Sequence, residues 1–175
     1  MMMISEAAQV LHAGWSGGDV LFTGVSTDSR TLRRGHLFVA LAGEKFDGSH
    51  FVASAIENGA VAAMINQATD TEVLSRDIPV IRVNDTRIGL GQLAAYWRDR
   101  FTGPVVGVTG SNGKTTVKEM IAAILRHAAV QQDELADESA DPVLATEGNL
   151  NNDIGVPQML LRLRPYHQYA VIEMG

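Results

Sequence analysis

The chain has 175 residues, of which 46% are hydrophobic and 19% are charged, and its formal net charge is −6. This composition is typical of a globular protein and excludes disordered and fibrous classes. An acidic chain offers no broad surface for the phosphates of nucleic acid, so we expect no nucleic-acid partner. Because the sequence has no cysteine, disulfides and thiolate metal sites are excluded as well.

The sequence also lacks the signals of export or membrane insertion. Its apolar stretches are far shorter than the roughly 20 residues that cross a bilayer. Residues 1–20 have no basic start followed by an apolar block, as a leader peptide would. We therefore expect a cytoplasmic protein without membrane insertion.

The first half predicts a small α/β domain. Short aliphatic runs predict strands at 37–41, 61–65 and 80–83. The segment 49–59 predicts a helix, with Ser49 as its N-cap and Gly59 as its stop. Asp85 and Thr86 form a capping pair ahead of another helix, whose apolar face includes Trp97 as a core residue. We place the domain boundary before that pair, which gives domains 1–84 and 85–175.

The second half predicts the start of a parallel-sheet domain. Strands are expected at 105–109, 143–145 and 169–173, and helices at 115–127 and 157–163, with Pro157 in the first helical position. Alternating strands and helices imply a parallel sheet with ligands at the carboxyl ends of its strands. The acidic segment 133–142 has no apolar period, which is typical of a solvated loop. Five apolar residues of the first helix are expected to pack on the sheet: Val117, Met120, Ile121, Ile124 and Leu125.

The junction between the first strand and helix of this domain resembles a phosphate-binding loop. An apolar run ends in a glycine-rich turn with one lysine and adjacent hydroxyls, followed by a helix, and this order suits a nucleotide triphosphate. Val108 stands where the usual pattern has glycine, and Gly107 lies one place too early. A tight βα turn with a solvated lysine is the alternative. The expected nucleotide-binding residues are Thr109, Gly110, Ser111, Asn112, Gly113, Lys114, Thr115 and Thr116.

Two further segments carry candidate residues in this half. Glu173 ends an apolar strand, where Mg²⁺ held by a triphosphate needs an oxygen ligand, and Thr115 supplies a second oxygen. A solvated strand end explains Glu173 equally well. The segment 146–157 contains Asn149, Asn151 and Asn152. Local turns and caps explain one or two of these amides but not easily all three.

The first half has weaker candidates. Arg30, with Asp28 and Ser29 beside it, offers a planar donor for a diphosphate, although a capped turn explains the same residues. The turn formed by Asp47 and Gly48 follows the strand at 37–41.

Together these segments resemble the Mur ligases of peptidoglycan synthesis over the whole chain. Residues 26–30, 35–41, 46–48 and 58–60 are similar to the uridine-nucleotide domain of that family, and residues 109–116 to its ATP loop. Residues 118–120 and 148–157 most resemble the member that joins D-alanyl-D-alanine to UDP-N-acetylmuramoyl tripeptide. The members that add diaminopimelate or lysine are the nearer alternatives, and a non-catalytic module for uridine-nucleotide sugars is another.

The resemblance implies an ATP-dependent amide ligase, monomeric, that works with Mg²⁺ through an acyl phosphate. It implies that Lys114 holds the β- and γ-phosphates and that Thr115 and Glu173 bind the metal. Asn149, as a catalytic residue, would line the nucleotide and substrate side with Asn151 or Asn152, which are the substrate-binding candidates of this segment. The UDP part would face Asp28, Ser29, Arg30, Asp47 and Gly48. Family members continue beyond this length, with a carbamylated lysine and a third domain, so these 175 residues are expected not to ligate alone.

Overall fold

The computed structural model describes residues 1–43, 46–69, 78–132 and 140–175, and the chain divides into two compact α/β units, Met1–Leu93 and Ala94–Gly175. The division falls inside a helix, α3 (Thr86–Asp99). The domain assignment 1–84 and 85–175 therefore stays a prediction. Most of the predicted acidic loop, residues 133–139, lies outside the described residues. Within the described ranges, no helix combines the length and apolar character needed to cross a membrane.

The first unit is built on one five-stranded sheet. In chain order its elements before α3 are β1 (Met2–Met3), α1 (Ile4–Val10), β2 (Gly14–Ser16), β3 (Leu21–Phe22), β4 (Gly24–Ser26), β5 (His36–Val39), β6 (Ala42–Gly43), β7 (Phe46–Asp47), a 3₁₀ turn (Gly48–Phe51), α2 (Val52–Glu57), β8 (Ala62–Asn66) and β9 (Val80–Val83). The sheet order is β2-β9-β8-β5-β4, with β4, β5, β8 and β9 parallel and β2 antiparallel at one edge. The pairs β1-β3 and β6-β7 are antiparallel.

Both faces of this sheet are buried. On one face, Phe38 and Ile65 pack with Val52 and Ala55 of α2 in a single apolar cluster. Leu37, on the opposite face, is also fully buried. Strands that are covered on both sides have continuous apolar sequences rather than alternating apolar and polar residues. Because β4 and β5 pair in parallel, their carboxyl ends lie side by side at one edge of the sheet.

The helix predicted at 49–59 starts differently in the structure. Asp47, and not Ser49, is the cap: its carboxylate accepts the Ser49 backbone N–H at 2.9 Å. A 3₁₀ turn precedes α2 because the chain must bend close to the strand before the helix can begin. The stop at Gly59 is confirmed, with a φ of +102° that favours glycine.

The second unit contains a three-stranded parallel sheet of order β10-β12-β11. Its elements after α3 are β10 (Val105–Val108), α4 (Lys114–Gln132), β11 (Val143–Ala145), α5 (Gly155–Leu160) and β12 (Tyr169–Glu173). Alternate residues of β12 face opposite sides, so Ile172 packs with α3 and α5, and Val171 packs with α4. Trp97 is partly buried in the first of these cores and donates its indole N–H to the Leu163 carbonyl at 3.0 Å.

The predicted packing face of α4 is partly wrong. Met120 is 61% exposed and Ile124 is 68% exposed, and Val117 is also exposed. Ile121 and Leu125 do pack against the sheet, but the most buried positions are Lys118, Ala122 and Ala129. Apolar residues occupy two adjacent faces of this helix. The sheet packs on the face that has fewer large apolar residues, because its small alanines allow a close approach.

Pro157 is the third residue of α5, not the first as predicted, and the helix ends at Leu160 rather than Leu163. The earlier start follows from Asn152, whose side-chain oxygen accepts the backbone N–H groups of Ile154 at 3.2 Å and Gly155 at 2.7 Å. The third position still tolerates proline, because the first N–H groups of a helix have no intrahelical acceptor.

Candidate active site

Residues 109–113 form an exposed loop between the carboxyl end of β10 and the first turn of α4. Gly110 and Gly113 have φ values of +144° and +75°, which side chains disfavour, so glycine is required at both ends of the turn. A Cβ at Gly113 would meet open space. The loop therefore leaves its backbone N–H groups accessible at a helix N-terminus, which is the arrangement that binds phosphate.

Lys114, the first residue of α4, folds back over this loop. Its ammonium donates a hydrogen bond to the Gly110 carbonyl at 2.8 Å. The cation thus lies beside the same backbone that would surround an anion. A terminal phosphate entering the loop would meet both a full positive charge and oriented N–H dipoles.

Glu173, at the carboxyl end of β12, joins the loop to two other segments. Its Oε2 accepts the Thr115 hydroxyl at 2.9 Å, and its Oε1 accepts the side-chain N–H of Asn151 at 2.8 Å. The hydrogen bond from Asn151 is the main cause that lowers the pKa of Glu173 below its usual value, with further lowering by Thr115, Lys118 and Lys114 against the cost of burial. The carboxylate is therefore ionised and its position is held from both sides.

These groups suit a magnesium ion in chemistry and number. Thr115 and Glu173 bring two hard oxygen donors within 2.9 Å of each other, beside the phosphate loop. Magnesium in nucleotide sites takes one or two protein oxygens and fills its remaining positions with phosphate oxygens and water. Among the described residues no cluster of three His, Asp or Glu side chains could hold a metal by itself. The residues present thus fit an ion that arrives with a nucleotide.

The asparagine-rich segment divides into different roles. Asn151 contacts Glu173, whereas the side chain of Asn152 caps α5. Asn149 is exposed in the turn that precedes them. The structure therefore brings Asn151 together with Thr115 and Glu173, while the capping bonds of Asn152 give it a structural role.

Sequence reasoning gave no site role to two residues here, Lys118 and Thr146. The Lys118 ammonium is buried and donates to the Thr146 carbonyl at 2.7 Å, and it also pairs with Glu119 at 2.7 Å. The Thr146 hydroxyl accepts the backbone N–H of Glu173 at 2.8 Å. A charged residue on the buried face of a helix was the available signal, because such a residue rarely lies there without partners.

The candidate residues of the first unit lie in two segments, one directly after β4 and one further along the chain after β5. Arg30 forms two hydrogen bonds with the Asp28 carboxylate, at 2.9 Å and 2.7 Å, and these bonds with the Arg30 backbone N–H lower the pKa of Asp28 to about 2. Ser29 is buried, and its carbonyl accepts the side-chain N–H of Asn58 at 2.9 Å. The loop is thus held at both ends while the Arg30 side chain stays exposed.

The turn at Asp47 and Gly48 is tightly packed. The Gly48 N–H donates to the Leu41 carbonyl at 2.8 Å, and a Cβ on Gly48 would lie 2.7 Å from that oxygen. Close approach of two backbone segments therefore requires glycine here. The Asp47 carboxylate caps the following turn, so these two residues have a structural role whether or not a ligand contacts them.

Two protein-family models match the chain, and they divide it much as its fold does. The model described as "Mur ligase family, catalytic domain" matches residues 21–98, and "Mur ligase middle domain" matches residues 108–175. The chain belongs to the Mur ligase family. The expected resemblance and the expected α/β fold are both confirmed.

This Mur ligase chain is also similar to individual proteins of the family. UDP-N-acetylmuramoyl-tripeptide–D-alanyl-D-alanine ligase of Escherichia coli strain K12 is 44% identical over 98% of this chain. A crystal structure of MurF from Acinetobacter baumannii matches 98% of the chain at 40% identity and a TM-score of 0.76. MurF of Thermotoga maritima, solved in complex with ADP, matches 90% at 32% identity and a TM-score of 0.66.

The Mur ligase chain spans about a third of the length of these relatives, 34% of the E. coli protein, 35% of the A. baumannii chain and 33% of the T. maritima chain. The similarity therefore bears on the phosphate loop, Glu173 and the first unit. It does not extend to the remaining two thirds of those proteins.

Proposed function

We propose that the protein carrying this chain is an ATP-dependent amide ligase that joins D-alanyl-D-alanine to UDP-N-acetylmuramoyl tripeptide. The observation that carries the proposal is the contact of Thr115 with Glu173 at 2.9 Å beside an accessible phosphate loop. This pair occurs in a chain 44% identical to a relative that bears the name of that ligase.

The reaction has two steps with a defined flow of atoms. A carboxylate oxygen of the stem peptide attacks the γ-phosphorus of ATP, and the bond from phosphorus to the β,γ-bridging oxygen breaks to release ADP. The resulting acyl phosphate is then attacked by the amine of D-alanyl-D-alanine. Phosphate leaves with the bonding electron pair, one proton is released from the amine, and an amide remains.

The main barrier to the first step is the meeting of two anions, so stabilisation of charge on the transferring phosphoryl group is the chief requirement. Lys114 stands beside the loop N–H groups and would neutralise the β- and γ-phosphate oxygens. Thr115 and Glu173 would hold Mg²⁺, which supplies positive charge to the same oxygens when bound. Asn151 fixes the Glu173 carboxylate.

We place the substrate on the remaining candidates. Asn149 is exposed in the turn before Asn151, and this accessibility supports a catalytic contact on the nucleotide and substrate side. Asn151 and Asn152 would lie towards the stem peptide. The exposed guanidinium of Arg30, with Asp28, Ser29, Asp47 and Gly48, would face the UDP part. Asp28, Ser29 and Arg30 follow the carboxyl end of β4, and Asp47 and Gly48 come further along the chain from its parallel neighbour β5.

The proposal is tested with the intact protein, ATP and Mg²⁺ in two parallel reactions. One supplies UDP-N-acetylmuramoyl tripeptide with D-alanyl-D-alanine, and the other supplies the dipeptide nucleotide with diaminopimelate or lysine. We expect an ATP-dependent amide product, identified by mass spectrometry, in the first reaction alone. Product only in the second identifies an amino-acid-adding ligase. Binding of the uridine nucleotide without ATP binding or product identifies a non-catalytic module, and either result overturns the proposal.

A further inference from the structure

Lys118 lies on α4 one turn beyond the phosphate-binding residues, and its charge is buried. The side chain is 3% exposed. A methionine or leucine would fill the same space without the cost of removing an ammonium from water, which is several kcal/mol in real proteins. The charge therefore calls for an explanation that packing does not supply.

The contacts of Lys118 form part of a closed circuit. Its ammonium donates to the Thr146 carbonyl, at the carboxyl end of β11, at 2.7 Å. Thr146 is itself fixed on β12, because its N–H donates to Val171 and its hydroxyl accepts the N–H of Glu173. The Glu173 side chain then returns to α4 through Thr115. The two helical residues of the circuit, Thr115 and Lys118, are three positions apart and so neighbours on one face.

This circuit differs from ordinary packing because it ends on the two proposed metal ligands. Resting on the proposed nucleotide and magnesium site, we propose that Lys118 is a positioning residue: through Thr146 it sets where the Glu173 carboxylate stands relative to Thr115. Partners of metal ligands typically change metal affinity by about 10- to 100-fold when removed.

A second cation on α4 provides a matched control. Arg126 pairs with Asp141 at 2.9 Å, and Asp141 also accepts the N–H of Val143, the first residue of β11. Arg126 therefore ties the same helix to the same strand as Lys118 does. It does so at the amino end of the strand, away from Glu173. Loss of a cationic tie between α4 and β11 as such should affect both variants, and Lys118→Arg, which keeps a cation at the buried position, controls for the burial that Arg126 lacks.

The test measures ADP binding by calorimetry, with Mg²⁺ and with EDTA, in the intact protein and its Lys118→Met and Arg126→Met variants. We expect the Mg²⁺-dependent gain in ADP affinity to fall by about tenfold in Lys118→Met and to be retained in Arg126→Met. ADP affinity in EDTA should stay the same in all three. Electron paramagnetic resonance of Mn²⁺ with ADP should report the same loss directly, and Lys118→Arg should recover part of it.

If Lys118→Met does not fold, Thr146→Val and Thr146→Ser replace it, because valine removes only the hydroxyl that holds Glu173. Valine should lower the metal-dependent gain and serine should keep it. An undiminished gain in Lys118→Met or Thr146→Val, or an equal loss in Arg126→Met, overturns the inference alone. A wild-type protein that shows no Mg²⁺-dependent ADP binding overturns the proposed function, and this inference with it.

Discussion

The polar side chains of the two units differ in how far away in the sequence their hydrogen-bond partners lie. In the second unit, residues distant in sequence converge: Glu173 contacts Thr115 across 58 positions and Asn151 across 22. In the first unit, the candidate side chains pair with near neighbours, Arg30 with Asp28 and Asp47 with Ser49, each two positions apart. The second unit therefore presents a preassembled site, whereas the first presents a surface whose charges are locally satisfied.

This difference bears on how each unit could bind an anion. Residues 109–113 are exposed at the N-terminus of α4, and the Lys114 ammonium is hydrogen-bonded to the Gly110 carbonyl rather than to a carboxylate. Arg30 already shares its guanidinium with a carboxylate, and a ligand must compete with that pair or use the remaining N–H groups. We therefore expect substitutions in the second unit to affect ligand binding more than comparable substitutions in the first.

The sharpest test of this contrast is Lys114→Ala in the intact protein. The variant loses a full charge and its donors beside the phosphate loop. We expect ATP affinity to fall by about 10- to 100-fold, because charge-assisted hydrogen bonds are worth about 1.5–3 kcal/mol. Calorimetry measures the affinity, with Arg126→Ala on the same helix as the control. Unchanged ATP affinity and product formation in Lys114→Ala would remove the basis for the phosphate loop.

The first unit is expected to be more sensitive in its backbone than in its charges. In Gly48→Ala the new Cβ meets the Leu41 oxygen at 2.7 Å and the Leu41 nitrogen at 2.8 Å, and neither backbone atom can swing away. We expect the free energy of unfolding to fall by about 1–3 kcal/mol, as for other overpacked sites. Urea denaturation followed by circular dichroism measures this change.

Gly91 provides the opposite case for that measurement. It lies in α3, and a Cβ there meets nothing within 4 Å. Gly91→Ala should raise the free energy of unfolding by about 0.5–1 kcal/mol, since alanine restricts the unfolded chain and favours helix. If the free energy of unfolding falls in both variants, the close approach at Gly48 is not the reason for the loss in Gly48→Ala.

Structural features that depend only on residues adjacent in the sequence could be predicted. Strands at 80–83, 143–145 and 169–173 have the predicted bounds, because each is a short aliphatic run between turn-forming residues. The turn from Gly110 to Thr115, between β10 and α4, is likewise a local pattern of glycine, lysine and hydroxyl, and phosphate binding there stays a prediction. Glu173 was placed correctly at a strand end for the same reason.

Features that depend on distant partners were not predictable in this way. The spacing of apolar residues along α4 predicted that Met120 and Ile124 pack on the sheet. The sheet instead covers the face that carries Lys118 and Ala122. Asn151 and Asn152 are identical in type and adjacent, and only the fold turns the first towards Glu173 and the second towards α5. Long-range packing decides both cases.

A smaller effect is expected from Arg30→Gln, which tests the other side of the contrast. The Arg30 side chain is 85% exposed, so its pair with Asp28 should add nothing measurable to the melting temperature. If the guanidinium also binds the diphosphate, affinity for UDP-N-acetylmuramoyl tripeptide should fall by about tenfold. Calorimetry and thermal denaturation give the two values, and Arg87→Gln controls for loss of charge. A lowered melting temperature with unchanged nucleotide affinity would make the pair purely structural.

The smallest effect should come from a local polar contact in the second unit, away from the phosphate loop. The His167 Nδ1 atom accepts the backbone N–H of Arg164 at 2.9 Å. Burial, and then the charge of Arg164, lower the pKa of this imidazole below its usual value. As the pH falls, the unfolded chain therefore takes up the proton first. The stability that the neutral ring contributes is complete above pH ~6.5 and decreases as the pH falls towards the depressed pKa.

Substitution of this histidine should therefore flatten the response to acid. We expect the melting temperature of His167→Gln to decline less steeply than that of the wild type as the pH is lowered from neutrality. Nuclear magnetic resonance of the His167 ring gives its pKa directly. A titration of His167 at or above ~6.5 would contradict the argument. The contact is local, since it joins residues only three positions apart. Mg²⁺-dependent ADP binding at neutral pH should therefore be the same in His167→Gln and in the wild type. Breaking the long-range circuit through Lys118 should, by contrast, lower that binding.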